Sequence, residues 1–186
     1  MRRAAAGRVR IIGGRWRSRR IAVVAGIRPS PDFVRETVFN LLADRIVGAT
    51  VADLYAGSGA LGFEAVSRGA LRLLAVDKSR NAVAQLRRTA AKLDAAARVQ
   101  ITAADAVQWL GSQRNLTIVF ADPPYRLMEE DCYRNKLLAR MRAALGANGI
   151  AYLESPTPLN IDLDHWQPIR QDSCGNSYWS LLEATG

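Results

Sequence analysis

The chain of 186 residues is predicted to fold as an α/β protein with a doubly wound, mostly parallel sheet. Short apolar segments rich in β-branched residues alternate with helical segments between residues 50 and 154. Glycine or acidic residues come at the ends of these strands, and ligands of open parallel sheets bind beyond the carboxyl ends of the strands. We therefore expect one α/β domain over residues 29–186, with a ligand crevice at one edge of its sheet.

The first 28 residues are expected to form a separate basic extension. They hold nine arginines and no acid, whereas the remaining 17 basic residues equal the 17 acids in number. Apolar residues at 11–12 and 21–24 flank Gly13 and Gly14, which predicts a β-hairpin. A basic ribbon that carries Trp16 suits contacts with nucleic acid, and the alternative is a solubilising arm. The candidate contacts are Arg10, Arg15, Trp16, Arg17, Arg19, Arg20 and Arg28.

The composition narrows the class of protein. With 49% hydrophobic and 23% charged residues the chain is typical of a globular protein, and its net charge of +9 indicates an acidic partner. No apolar run approaches the roughly 20 residues that span a bilayer, and no signal peptide is recognisable. Cys132, Cys174 and His165 are too few for a disulfide framework or a zinc site. We expect a cytoplasmic protein with free thiols and no metal.

The elements are predicted in chain order. Asp32 can cap a helix over residues 33–46, because the apolar residues from Val34 to Leu42 repeat at helical spacing. The predicted strands cover residues 50–55, 71–76, 99–102, 117–121 and 150–154, and a final hairpin covers residues 167–170 and 177–182. The predicted helices cover residues 60–67, 79–93, 106–110 and 128–145, the last followed by a turn at 146–149.

A glycine-rich loop follows the first strand of the sheet. Gly57, Gly59 and Gly62 have the spacing of a dinucleotide-binding turn, in which backbone approaches a ligand closely. Asp77 ends the next strand, 24 residues after Asp53, where an acid binds ribose hydroxyls. A tight turn without a ligand is the alternative for the glycines alone. Together the two features predict a nucleoside ligand.

Two further acids lie at strand ends. Asp105 either caps the helix at 106–110 or meets an adenine amine. Asp122 ends a buried strand, and Pro123, Pro124 and Tyr125 follow it. Proline lacks an N–H group and stiffens the chain, so a carboxylate and a proline carbonyl can accept hydrogen bonds from an exocyclic base amine while Tyr125 stacks on the base. A plain strand end and turn is the alternative.

These motifs together carry a resemblance. The segment from Asp53 to Gly62 and the segment from Asp122 to Tyr125 resemble class I S-adenosylmethionine-dependent methyltransferases that modify exocyclic amino groups. Within that class, the chain resembles most specifically the bacterial 16S ribosomal RNA guanine-N2 methyltransferases of the small subunit. The segments that carry this narrower resemblance are residues 10–14, 28–29 and 34–40. This resemblance implies a Rossmann-like fold with a seven-stranded, mostly parallel sheet whose last strand is antiparallel, plus the basic hairpin.

The resemblance also implies roles for residues. S-adenosylmethionine would be the cofactor, and direct methyl transfer would need no metal. The cofactor-binding residues it implies are Asp53, Tyr55, Ala56, Gly57, Ser58, Gly59, Asp77, Lys78, Asp105, Ala106 and Asp122. Asp122, Pro123 and Tyr125 would hold the guanine amine and base, and Arg35 would join the RNA contacts. Residues 30–33 depart from the family pattern. This departure concerns the contacts of that loop with the substrate and not the cofactor site. The implied partner is 16S RNA within a small-subunit particle, bound by a monomer.

Three other functions remain open at this point. A methyltransferase of adenine N6 uses the same acid and proline tip, but usually needs a target-recognition domain. A nicotinamide-linked dehydrogenase shares the glycine spacing but leaves the Asp122 segment unexplained. A non-catalytic RNA-binding assembly factor would share the fold without the chemistry.

Overall fold

The computed structural model describes residues 7–24, 30–160 and 165–185. Its first element is an antiparallel hairpin of strands β1 (Arg8–Arg10) and β2 (Arg20–Ala22), with a 3-10 turn at Gly14–Trp16 between them. Val9 and Ile21 face inward and are buried, whereas the arginines beside them in both strands are exposed. The predicted hairpin is confirmed. The predicted boundary at residues 28 and 29 lies outside the described residues.

The sheet has seven strands, in the spatial order β5-β4-β3-β6-β7-β9-β8. The strands are β3 (Thr50–Leu54), β4 (Arg72–Asp77), β5 (Val99–Ala103), β6 (Leu116–Ala121), β7 (Leu145–Ser155), β8 (Trp166–Cys174) and β9 (Ser177–Ala184). Neighbours from β5 to β7 pair in parallel, whereas β9 pairs antiparallel with both β7 and β8. The predicted sheet with an antiparallel last strand is confirmed.

Seven helices are described. They are α1 (Asp32–Leu41), α2 (Ala43–Ile46), α3 (Ala60–Ser67), α4 (Arg80–Lys92), α5 (Ala106–Leu110), α6 (Tyr125–Met128) and α7 (Asp131–Ala144). None of the helices in the described ranges is long and apolar enough to cross a membrane. The helix predicted over residues 33–46 is interrupted at Leu42, whose ψ of 2° leaves the helical range.

The helix predicted over residues 128–145 is α7, which begins three residues later at Asp131, and Met128 is instead the last residue of the short helix α6. The turn predicted at residues 146–149 lies instead inside β7, which starts at Leu145. The register of β6 against β7 shifts between Leu116 and Ile118, and this irregularity accommodates the four residues. The strand is therefore longer than the apolar pattern indicated.

Two hydrophobic cores lie on opposite faces of the sheet. Successive strand residues alternate between them, so Val51 packs in one core and Ala52 in the other. Helices α1, α3 and α4 and the hairpin cover the first core, whereas α5 and α7 cover the second. Apolar side chains on alternate faces of every central strand produce this doubly wound arrangement. The hairpin is thus part of a core.

Candidate active-site crevice

A crevice of about 830 Å³ opens at the carboxyl ends of the parallel strands. Its walls come from the carboxyl-terminal ends of β4 and β7 and from the segments that follow β3, β4, β5 and β6, together with Ser30, Pro31 and the turn between β8 and β9. The volume lies within the roughly 300–1,000 Å³ of ligand pockets. The predicted residues that line it are Tyr55, Asp77, Lys78, Asp105, Ala106, Asp122, Pro123 and Tyr125. Residues far apart in sequence are thereby brought to one site, as the strand-end pattern predicts.

The loop after β3 orients Asp77. The backbone N–H of Gly57 donates to one carboxylate oxygen of Asp77 at 2.9 Å, and that of Ser79 donates to the other at 2.7 Å. Gly59 has a φ of 76°, and a Cβ there would lie 2.6 Å from the Phe63 ring. Only glycine fits this close turn without strain. The carboxylate of Asp77 is therefore fixed at the crevice by backbone donors.

Asp53 lies beneath the crevice and does not line it. It is 3% exposed, and its Oδ2 accepts a hydrogen bond from the Gly62 N–H at 2.9 Å. Burial raises the pKa of Asp53 to about 8, against the opposing effect of the Gly62 N–H, and the charges of Asp122 and Asp77 raise it further. Residues 56–59 are likewise buried and supply backbone beside the crevice. Their contact with a cofactor stays a prediction.

Asp105 fulfils one of its two predicted roles, and its position is compatible with the other. Its Oδ1 accepts from the Gln108 N–H at 3.0 Å, which makes Asp105 the N-cap of α5. Its side chain is only half-buried, and both it and Ala106 line the crevice. A carboxylate has further lone pairs beyond the one used in the cap. The N-cap is therefore shown, and contact with an adenine amine stays a prediction.

The Asp122 segment supplies four consecutive residues to the crevice wall, from Asp122 to Tyr125. Strand β6 ends at Ala121, and Pro124 is the N-cap residue of the short helix that begins with Tyr125. Burial, and then the charge of Glu154, raises the pKa of Asp122 to about 8. Tyr125 is 40% exposed, so its ring is available to stack on a ligand. A stiff acceptor and an aromatic ring therefore face the same cavity.

Among the crevice residues that were not predicted as site residues, three have side chains that hydrogen-bond to other side chains of the crevice. Tyr133 on α7 shares a hydrogen bond with the hydroxyl of Tyr55, whose φ of 54° lies in the left-handed region. Glu154 ends the apolar run of β7, and Ser30 precedes α1. Two sequence signals were available: Glu154, like Asp122, is an acid at the end of a predicted strand, and Ser30 lies in the segment that departs from the family pattern. Within the described residues no cluster of His, Cys, Asp or Glu is suited to a metal.

The hairpin is fixed to α3 by a buried carboxylate. Glu64 is fully buried and accepts from the backbone N–H groups of Ile12 at 2.7 Å and Gly13 at 2.8 Å. Ser67 adds two hydrogen bonds, because its hydroxyl donates to the Gly13 carbonyl and accepts from the Trp16 N–H. The hairpin is therefore held in a defined place against the α/β domain.

The exposed arginines of the hairpin agree with the predicted surface, but two predicted RNA contacts are buried. The exposed members are Arg10, Arg15, Arg17, Arg19 and Arg20. Trp16 is 4% exposed because it packs in the first core, so it is not available to stack on a base. Arg35 is 1% exposed, with its guanidinium bonded to Asp32 and to the Arg10 carbonyl. Both assignments are wrong for this reason. Arg28 lies outside the described residues.

The fold and the crevice together define a class of protein. Six strands share one direction, the last strand of the chain runs against them between β7 and β8, and acids from successive strand ends line the crevice. This is the Rossmann-like fold of the class I methyltransferases. The chain belongs to the family described as Conserved hypothetical protein 95, whose model matches residues 9–183.

Individual relatives agree with that family. The chain is 44% identical over 131 residues to Ribosomal RNA small subunit methyltransferase D of Escherichia coli, an alignment that covers 67% of this chain and 65% of the relative. It is 31% identical over 158 residues to the protein of that name from Buchnera aphidicola, covering 82% of this chain and 78% of the relative. The solved structure of Escherichia coli yhhF is 34% identical, with a TM-score of 0.83 over 96% of this chain and 98% of that chain. The chain thus spans just under two thirds of the Escherichia coli curated relative.

Proposed function

We propose that this protein transfers a methyl group from S-adenosylmethionine to the exocyclic N2 amine of a guanine in 16S ribosomal RNA of the small subunit. The observation that carries the proposal is the tip of β6, where Asp122 and Pro123 line the same cavity as Asp77 and Asp105. The names of the curated relatives support ribosomal RNA as the substrate. The exposed arginines of the hairpin support a nucleic-acid partner.

The crevice fits the cofactor by the chemistry of its donors and acceptors. In the proposed arrangement, Asp77 accepts hydrogen bonds from ribose hydroxyls, next to Lys78. Asp105 and the backbone of Ala106 hold adenine. The loop at residues 56–59, supported by Asp53, lies beside the methionine part together with Tyr55. The left-handed Gly57 and Gly59 permit this close approach of backbone.

The Asp122 segment performs the substrate chemistry. A guanine amine is a poor nucleophile because its lone pair is delocalised into the ring. The Asp122 carboxylate and the Pro123 carbonyl accept its N–H groups and orient the lone pair toward the methyl group, while Tyr125 stacks on the extruded base. The bound cofactor supplies an activated methyl group on a sulfonium centre. The protein therefore acts by positioning the amine and excluding water, and the amine releases a proton once it is methylated.

The hairpin supplies affinity for RNA. Its exposed arginines pair with phosphates, and its fixed attachment through Glu64 gives the arginines a constant position relative to the crevice. We further propose an assembled small-subunit particle as the substrate, a monomeric enzyme and a cytoplasmic location.

Methyl transfer from labelled S-adenosylmethionine tests the proposal. The acceptors are small-subunit particles and naked 16S RNA from cells that lack this protein, and the labelled nucleoside is then identified. N2-methylguanosine at one site is the expected result, with more label in particles than in naked RNA. Labelled N6-methyladenosine, or no label despite measurable cofactor binding, would contradict the proposal.

A further inference from the structure

A second carboxylate lies beside Asp122 in the crevice. Strands β6 and β7 are parallel neighbours, and their register pairs Ala121 with Leu153. The residues that follow are therefore side by side: Asp122 comes just after the end of β6, and Glu154 is the last residue but one of β7. Neighbouring strands are about 5 Å apart in a sheet. Both line the cavity, although Glu154 is only 7% exposed. The site thus presents two neighbouring acceptors.

Hydrogen bonds fix the orientation of Glu154 and leave one of its oxygens open. The Tyr152 hydroxyl donates to Oε1 at 2.7 Å, and the Ser30 hydroxyl donates to the same atom. Across residues 7–24, 30–160 and 165–185, no side chain or backbone group donates to Oε2, and no cation pairs with Glu154. A buried carboxylate is costly unless its lone pairs are satisfied. Oε2 is therefore an acceptor that a ligand in the cavity can satisfy.

The Watson–Crick edges of guanine and adenine differ at N1, the ring nitrogen next to the exocyclic amine. Guanine presents two adjacent donors, the N1–H and the N2 amine, whereas adenine presents its N6 amine beside N1, which is an acceptor. Two carboxylates accept both guanine donors. With adenine, a lone pair of Glu154 would face the lone pair of N1. The two donors of guanine also reduce the repulsion between the two carboxylates more than the single amine of adenine would.

We propose that Glu154 selects guanine over adenine by accepting the N1–H of the base at Oε2, while the Asp122 tip holds the N2 amine. Ser30 and Tyr152 are positioning residues for this contact, because they fix the carboxylate through Oε1. The inference rests on the proposed function and adds the means of base selection. It also accounts for a buried acid that the methyl-transfer chemistry does not otherwise use.

A base analogue isolates the contact to N1. After the modified guanine is located, 16S RNA is ligated with either guanine or 2,6-diaminopurine at that position and assembled into particles if particles are the substrate. 2,6-Diaminopurine keeps the amine at C2 but has an acceptor at N1. The wild-type protein is expected to favour guanine by about 10- to 100-fold in kcat/KM, the size of a good base-edge contact. In Glu154→Gln the side-chain amide donates to the acceptor, so the preference falls to about threefold or less.

Matched variants separate selection from folding. Glu183→Gln changes an acid of β9 that bonds Arg45 away from the cavity, and it is expected to keep the guanine preference. Glu154→Asp retains a carboxylate and is expected to keep the preference with a lower kcat. Cofactor affinity, measured by calorimetry, is expected to be unchanged in all three variants.

The outcomes distinguish the two proposals. No methylation of the guanine RNA by the wild-type protein would contradict the proposed function and the inference with it. Methylation with equal rates on both bases would overturn the inference alone. So would a guanine preference that persists unchanged in Glu154→Gln, or one that is lost in Glu154→Asp.

Discussion

The hairpin and the crevice are both polar, but they place their charges in opposite ways. The hairpin buries its apolar side chains and one tryptophan and exposes its arginines, whereas the crevice holds its carboxylates in partly or fully buried positions. Exposed charges are screened by salt, while burial raises the pKa of Asp53 and Asp122. Under the proposed function, this difference corresponds to affinity for RNA at the hairpin and chemistry in the crevice.

The largest expected effect is on the crevice. Asp122→Asn is predicted to lower the single-turnover rate of methyl transfer by about 100- to 1,000-fold, because the amide replaces one acceptor with a donor that faces the base amine. Cofactor affinity measured by calorimetry is expected to change little. Asp172→Asn, an exposed acid on β8, is the control and is expected to retain full activity. Equal loss of transfer and of cofactor binding would contradict the separate roles.

The hairpin is predicted to control affinity and its salt dependence. Alanine at Arg15, Arg17, Arg19 and Arg20 is expected to weaken RNA binding by about 10- to 100-fold and to lower the slope of log affinity against log salt by about 3. Filter binding at several salt concentrations measures both. The variant Lys136→Ala with Arg140→Ala removes two exposed charges from α7, across the sheet, and is expected to have little effect. A hairpin variant with wild-type affinity would remove the hairpin from the RNA surface.

The attachment of the hairpin is predicted to depend on Glu64. In Glu64→Gln the new amide group faces a backbone N–H of the hairpin, and the ion pair with Arg68 is lost. We expect a loss of about 2–3 kcal/mol in the free energy of unfolding, measured by urea denaturation. We also expect faster trypsin cleavage after Arg15 and Arg17. Glu36→Gln, on the exposed face of α1, is the control. Unchanged cleavage and stability would mean that the hairpin is held by its apolar side chains alone.

The smallest predicted effect is the pH dependence of stability. The pKa of Asp122 in the folded chain is about 8, above its ordinary value of 3.8, so the folded state binds this proton more tightly than the unfolded state. The bound proton on Asp122 therefore stabilises the folded chain below pH 4, and this stabilisation is lost as the pH rises toward 8. Asp122→Asn cannot titrate, so its melting temperature should exceed that of the wild type by a margin that grows from pH 4 to 8. Asp44→Asn is the exposed control, and a constant difference across this range would contradict the raised pKa.

The sequence was sufficient to predict those features of the fold and the site that depend on a local pattern of residues. Short apolar runs rich in β-branched residues located the strands, and acids at strand ends located most of the crevice, because parallel strands all end at one edge of the sheet. The number of strands and the antiparallel direction of the last one came from the family resemblance. Their spatial order was not predicted, since pairing between distant segments leaves no local signal.

Burial of individual polar and aromatic residues was not predictable. Trp16 lies in a 3-10 turn, where alternation does not show which face is inward, and its partner Ser67 is 51 residues away. Arg35 is adjacent to an exposed acid in sequence, and it is buried by contacts with the hairpin and with Glu64 of α3, which are distant in the chain. Glu154 and Tyr133 reach the crevice from β7 and α7, and their roles depend on neighbours that the chain brings together only when it folds.

The dependence of the single-turnover methyl-transfer rate on RNA concentration tests the division between the two regions most directly. The wild-type protein, Asp122→Asn and the variant with four hairpin arginines replaced are compared on the same 16S RNA or particles. Asp122→Asn is predicted to lower the maximal rate with an unchanged half-saturating RNA concentration. The hairpin variant is predicted to raise that concentration with an unchanged maximal rate. If both variants change the same parameter, the assignment of chemistry to the crevice and affinity to the hairpin is wrong.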